Sequence, residues 1–119
     1  MHKTLVIGAS SNPNQYSHLA IQRLMSAGHN VEAIGREAFQ LGSTQVVNQR
    51  IDFTDIHTVS LYLNKERQKD YEDYIVSLHP KRIIFNPGAE NPELLDRASL
   101  LGIEAIEACT LVMLAAGTY

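Results

Sequence analysis

The strongest constraint on this chain is a short β-branched run that ends in glycine and leads into a helical pattern. Leu5-Val6-Ile7 followed by Gly8 reads as a buried parallel strand that turns sharply. After it, Tyr16, Ala20, Leu24 and Ala27, flanked by Ile21 and Met25, recur at helical spacing and predict one apolar face over about 16–27. Gly28 is placed to end that helix. Val31-Glu32-Ala33-Ile34 then reads as a second strand, with Gly35-Arg36 just past its carboxyl end. A β-α-β unit of this kind requires a parallel pair joined by a right-handed crossover.

The rest of the chain repeats the alternation. Between Glu37 and Thr58 the signal is weak, with Val46-Val47 the one plausible strand and no chemistry assigned. Thr58 to Leu63 alternates apolar residues and predicts a strand. Asn64 caps the helix that follows, whose apolar face comes late, at Tyr71, Tyr74, Ile75 and Leu78, before Pro80 stops it. Arg82-Ile83-Ile84-Phe85 reads as a buried strand running into the turn-rich Asn86-Pro87-Gly88-Ala89-Glu90. Asn91-Pro92-Glu93 opens another helix, closed by Gly102. Ile103 to Glu107 is a last strand and Leu111 to Ala116 a short final helix. The prediction is an α/β fold, a doubly wound parallel sheet of five or six strands with helices on both faces.

At 119 residues and 45% hydrophobic the chain is expected to form one domain over 1–119, with a real core and no separate substrate domain. A formal charge of −3 gives no global attraction to nucleic acid or to an anionic membrane. No stretch approaches the roughly 20 apolar residues of a membrane span, and no leader pattern precedes the first strand. The expectation is therefore a cytoplasmic protein. One cysteine, Cys109, excludes an internal disulfide. The five histidines, His2, His18, His29, His57 and His79, lack metal-ligand spacing, so no metal site is assigned.

In such sheets ligands lie outside the carboxyl ends of the strands. That selects Gly8 to Ser17, Gly35-Arg36, Asn64, Asn86 to Glu90 and Ala108 to Thr110. In the first loop the backbone N–H groups at the helix start suit a phosphate, and either Asn12, followed by Pro13, or Ser17 could cap that helix. The loop is not a dinucleotide fingerprint, because Ser10 and Pro13 stand where glycines belong; Ser10, Ser11 and Asn12 offer side-chain donors instead. No G-K-[ST] occurs, so P-loop phosphoryl transfer has no support. Past the second strand, Arg36 suits a phosphorylated ribose rather than a free one. Residue chemistry fits the 3′-phosphate of coenzyme A and the 2′-phosphate of NADP equally.

Val6 to Ser17, Ile83 to Gly88 and Glu107-Ala108-Cys109-Thr110 resemble the corresponding segments of stand-alone CoA-binding domain proteins, over nearly the full chain. That family is similar to the Rossmann-like CoA-binding domain of succinyl-CoA synthetase and acyl-CoA synthetases, without their catalytic domains. The resemblance implies coenzyme A or an acyl-CoA as ligand and no established reaction. It implies a diphosphate against Gly8, Ala9, Ser10, Ser11 and Asn12, with the helix start at Tyr16 and Ser17. It also implies Asn86, Pro87 and Gly88 facing the pantetheine arm; after the second strand many relatives have a valine-asparagine-proline turn with a basic residue, where this chain departs with Ile34-Gly35-Arg36.

No catalytic residue is assigned. Cys109 at a strand-to-helix junction reads as a buried small hydrophobe before a redox thiol, and Glu90 and Glu107 read as solvated or capping groups before an acid–base pair. An NADP-dependent oxidoreductase would need a hydride-transfer partner such as a Tyr-Lys pair; Tyr62, Tyr71 and Tyr74 are present, but Tyr71 and Tyr74 suit a helix face better. A third reading is an interaction protein that keeps the fold without the ligand. A homodimer or a partner enzyme is compatible with so small a domain, with no specific seam in the sequence.

Overall fold

The computed structural model describes residues 2–119. Its centre is β1 (Thr4–Ala9), whose Leu5, Val6 and Ile7 are fully buried. Successive side chains of a strand point to opposite faces, and β1 divides accordingly. Leu5 and Ile7 enter one core layer and Val6 the other. α1 (Tyr16–Ser26) covers the Val6 side through Ile21 and Leu24. α3 (Glu72–Ser77) and α4 (Pro92–Leu100) cover the other through Ile75, Leu94 and Ala98.

β2 (Val31–Gly35), β3 (Phe39–Leu41), β4 (Thr44–Val47), β5 (Thr58–Leu61), β6 (Arg82–Phe85) and β7 (Glu104–Glu107) complete one sheet of seven strands, in the order β3-β4-β2-β1-β5-β6-β7. Every neighbouring pair is parallel except β3 with β4. Without β3, the parallel strands follow the doubly wound dinucleotide-binding order, so the fold is Rossmann-like. The chain winds outward from β1 to β4, returns across the sheet and continues from β5. The switch point therefore lies between β1 and β5.

Several local expectations need correction. The sheet has seven strands where five or six were predicted, β3 being the one the sequence did not show. Phe39–Leu41 turns back on β4 through Gly42, at φ +58°, and Ser43, a two-residue connection that suits an antiparallel hairpin. Neither Asn12 nor Ser17 caps α1. Its N-cap is Gln15, with no side-chain cap, while the Asn12 Oδ1 accepts the Asn14 N–H at 3.0 Å. The single helix expected after Asn64 is broken into α2 (Lys65–Gln68), a 3-10 turn (Lys69–Tyr71) and α3. Gln68 is fully buried there, its amide donating to the Leu63 and Ala89 carbonyls. α5 (Thr110–Ala116) begins one residue earlier than predicted. Among the described residues no helix is long and apolar enough to cross a membrane.

Candidate functional site

The carboxyl ends of β1 and β2 meet closely. Gly8, at φ +98°, interrupts the register between the two strands. A Cβ there would stand 3.0 Å from the Tyr62 carbonyl carbon. At Gly35 a Cβ would lie 2.4 Å from the Ala9 carbonyl oxygen. Only glycine permits either approach without displacing backbone. Beyond Ala9 the loop is bonded to itself and to α1. Ser10 Oγ accepts the Asn12 N–H at 3.1 Å, and the Ser10 carbonyl accepts from Nδ1 of buried His18 at 2.8 Å. The first backbone bond into the helix is Leu19 N–H to Gln15 at 3.2 Å. The N–H groups of the first turn have no side-chain cap and no acidic residue beside them, a combination favourable to an anion.

A cleft of about 820 Å³ opens at this point. Gly8, Ala9, Ser10 and Ser11 line it from the β1 loop, Tyr16 and Ser17 from the start of α1, Arg36 from the end of β2 and Pro87 from the loop after β6. The structure brings those eight together. Asn12 is exposed on the same loop outside the lining, and Gly88 is exposed, its N–H donated to Glu90 Oε1 at 3.0 Å.

Asn86 is placed differently from the expectation that it faces a ligand. It is 1% exposed. Its Nδ2 donates to Ser60 Oγ and to the Leu61 carbonyl, both at 2.9 Å, and its Oδ1 accepts the Thr110 N–H at 2.8 Å. Those bonds tie β6 to β5 and to the start of α5. Cys109 is the half-buried N-cap of α5 and does not line the cleft.

Other residues line the cleft as well, among them Tyr62 and Tyr71, weighed in the sequence only for hydride transfer, and Arg50, Arg67 and Asp70, which it did not single out. Tyr62 contributes part of the floor. Burial pushes its phenol up to about 12, and its buried hydroxyl has no hydrogen-bond partner among the described residues, the neighbouring Ser60 and Thr110 hydroxyls bonding each other at 2.8 Å. Arg67 and Asp70 come from α2 and the 3-10 turn, Tyr71 from the same turn, and Arg50 from the segment after β4. Arg67 sits three residues beyond the Asn64 cap, a spacing from a strand end that could have marked it. Nothing local marks Arg50. Three arginines, Arg36, Arg50 and Arg67, thus face two carboxylates, Glu37 and Asp70, in a protein of net charge −3. Among the described residues the ion pairs use Lys3, Lys65, Lys69 and Arg97 and none of those three. Among the described residues no group of three His, Cys, Asp or Glu side chains is placed to hold a metal ion.

Residues 2–115 match the family described as CoA binding domain. No curated protein matches the chain. A crystal structure of an uncharacterised protein is 45% identical, with a TM-score of 0.96 over 100% of this chain and 98% of that one. A Thermus thermophilus protein shares the fold at 18% identity and a TM-score of 0.84, over 99% and 90% of the two chains. So does the dinucleotide-forming acetyl-coenzyme A synthetase 1 of Ca. Korarchaeum cryptofilum, solved with phosphate and ADP, at 18% identity and a TM-score of 0.71. There, 89% of this chain matches 25% of the synthetase. The chain belongs to the CoA binding domain family.

Proposed function

We propose that this domain holds coenzyme A or an acyl-CoA in the cleft at the switch point, without chemistry of its own. The observation that carries the reading is the uncapped start of α1, opening with Ser10 and Ser11 onto a cleft whose three arginines form no ion pair among the described residues. In this reading the diphosphate rests on the Gly8–Pro13 loop and the first N–H groups of α1, where backbone donors and helix dipole act together. Arg36 reaches the phosphorylated ribose at the end of β2, and the pantetheine arm passes Tyr62 and Leu63 toward Pro87 and Gly88. The family match favours coenzyme A over NADP. No lining residue pairs a nucleophile with a base, so the reading assigns no catalytic residue; delivery to a partner enzyme in the cytoplasm suits a carrier of this kind.

Calorimetric titration of the purified protein with CoA, 3′-dephospho-CoA, NADP and NAD at one moderate salt concentration tests the reading. CoA is expected to bind at least tenfold more tightly than NADP. Ser11→Asp, an exposed position, is expected to weaken CoA by about tenfold or more through repulsion of the diphosphate while leaving the unfolding midpoint unchanged. Binding of NADP without CoA would overturn the reading. Binding of none of the four would leave an interaction protein that keeps only the fold.

A further inference from the structure

Arg36, Arg50 and Arg67 are all exposed cations on the cleft, but they are not equally ordered. The Arg50 guanidinium lies over the Tyr71 ring, 4.4 Å from its centroid. Tyr71 in turn meets Tyr74 edge to face, with ring centroids 6.4 Å apart. The Tyr74 hydroxyl donates to the carbonyl of Ile51, the residue next to Arg50, at 2.5 Å. Burial, with Asp52 and Tyr71 adding to it, pushes the Tyr74 phenol up to about 12, so it remains a donor throughout the neutral range. Two tyrosines from the 3-10 turn and α3 therefore fix both the backbone and the side chain of a segment that has no secondary structure of its own. Arg36 and Arg67 have no comparable contact through their side chains.

A guanidinium held over an aromatic ring by its cation–π contact still has N–H groups to offer a phosphate, which it can match bidentately. Stacking also removes beforehand much of the side-chain freedom that binding would otherwise have to remove. By topology Arg50 follows β4, the strand next to β2 on the side away from β1. That is the end of the cleft where a nucleotide's ribose lies in sheets of this order.

We propose that Arg50, preorganised by Tyr71, is the specificity-determining cation for the phosphate monoester on the ligand ribose, with Arg36 in a secondary role. This rests on the coenzyme A reading above and names the residue that distinguishes CoA from its 3′-dephospho form.

The test is the ratio of the Kd for 3′-dephospho-CoA to the Kd for CoA, measured by calorimetry for wild type and for Arg50→Gln, Arg36→Gln, Arg67→Gln, Tyr71→Phe and Tyr71→Leu. Arg50→Gln is expected to shrink the ratio about tenfold, the effect of losing one charge-assisted phosphate contact, while 3′-dephospho-CoA binds within about threefold of wild type. Tyr71→Phe keeps the ring and should keep the ratio. Tyr71→Leu should lower it part of the way, and the exposed Arg50→Gln remains decisive if Tyr71→Leu does not fold. An unchanged ratio in Arg50→Gln, or a collapse confined to Arg36→Gln or Arg67→Gln, overturns this assignment and leaves CoA binding intact. Failure of wild type to bind either compound overturns the coenzyme A reading and this assignment with it.

Discussion

Gly35 and Gly8 show how much one missing methyl group decides. A Cβ at Gly35 would stand 2.4 Å from a backbone carbonyl, which cannot swing aside as a side chain could. Gly35→Ala must then separate the ends of β1 and β2, and overpacking of this kind costs about 1–3 kcal/mol. Gly8→Ala adds the penalty of a non-glycine residue at positive φ, about 1–2 kcal/mol, to a contact of 3.0 Å with Tyr62. Gly88→Ala meets open space at φ +91° and carries the backbone term alone. Urea unfolding should rank the losses with Gly8→Ala largest and Gly88→Ala smallest among the positive-φ pair, at unchanged slope; a Gly35→Ala variant as stable as wild type would mean the two loops do not meet this closely. Gly8 was legible as a turn because it ends an apolar strand. The reason for Gly35 was not, because its neighbour Ala9 arrives through the fold. Asn86 was legible as a loop residue and not as a buried tie, since its partners Ser60, Leu61 and Thr110 are 24 to 26 positions away.

Helix starts were readable at Asn64 and Asn91 and misleading at Asn12. Asn64 and Asn91 each cap a helix as their sequence contexts predict, accepting the Arg67 N–H at 2.9 Å and the Leu94 N–H at 3.2 Å. Asn12 instead closes a local turn onto Asn14, the alternative always open to a short polar side chain. The two true caps should differ in weight. Asn64 is exposed, so Asn64→Ala is expected to cost about 1 kcal/mol. Asn91 is 1% exposed, and its Nδ2 also donates to Gln68 Oε1 and Glu72 Oε2, joining α4 to α2 and α3. Asn91→Ala should cost about 2–4 kcal/mol, the cap plus buried acceptors left unpaired. Equal losses in urea melts would show that the buried junction contributes nothing. β3 escaped the sequence because three residues at a sheet edge carry too little periodicity, and the break after Gln68 escaped because its amide answers to carbonyls of Leu63 and Ala89.

The two ends of the sheet divide the work of the molecule. The carboxyl end carries the cleft, whereas the amino end is closed by a stack of histidines that the sequence presented only as scattered residues. His2 and His57 stack with ring centroids 3.7 Å apart, and His29 meets the Tyr119 ring edge-on at 4.9 Å. Arg82 lies over the same tyrosine at 4.5 Å. The His29 Nδ1 accepts the His2 N–H at 3.0 Å, a role that a protonated imidazole cannot fill. Burial lowers the pKa of His2, His29 and His57. The Arg82 charge lowers all three further, His29 adds to the lowering of His2 and His2 to that of His57, while the bond from the His2 N–H opposes it at His29 and Glu104 opposes it at His57. Each therefore binds its proton less readily in the folded chain than in the unfolded one. Below the ordinary histidine value of about 6.5 the unfolded state holds more protons, so stability falls as the pH drops from there through the folded values and is level above it. Unfolding midpoints measured between pH 8 and pH 5 should be flat on the alkaline side and decline on the acid side. His57→Gln, which removes one of the stacked pair, should make that decline shallower, and a wild-type profile no steeper than that of the variant would show that the stack tolerates protonation.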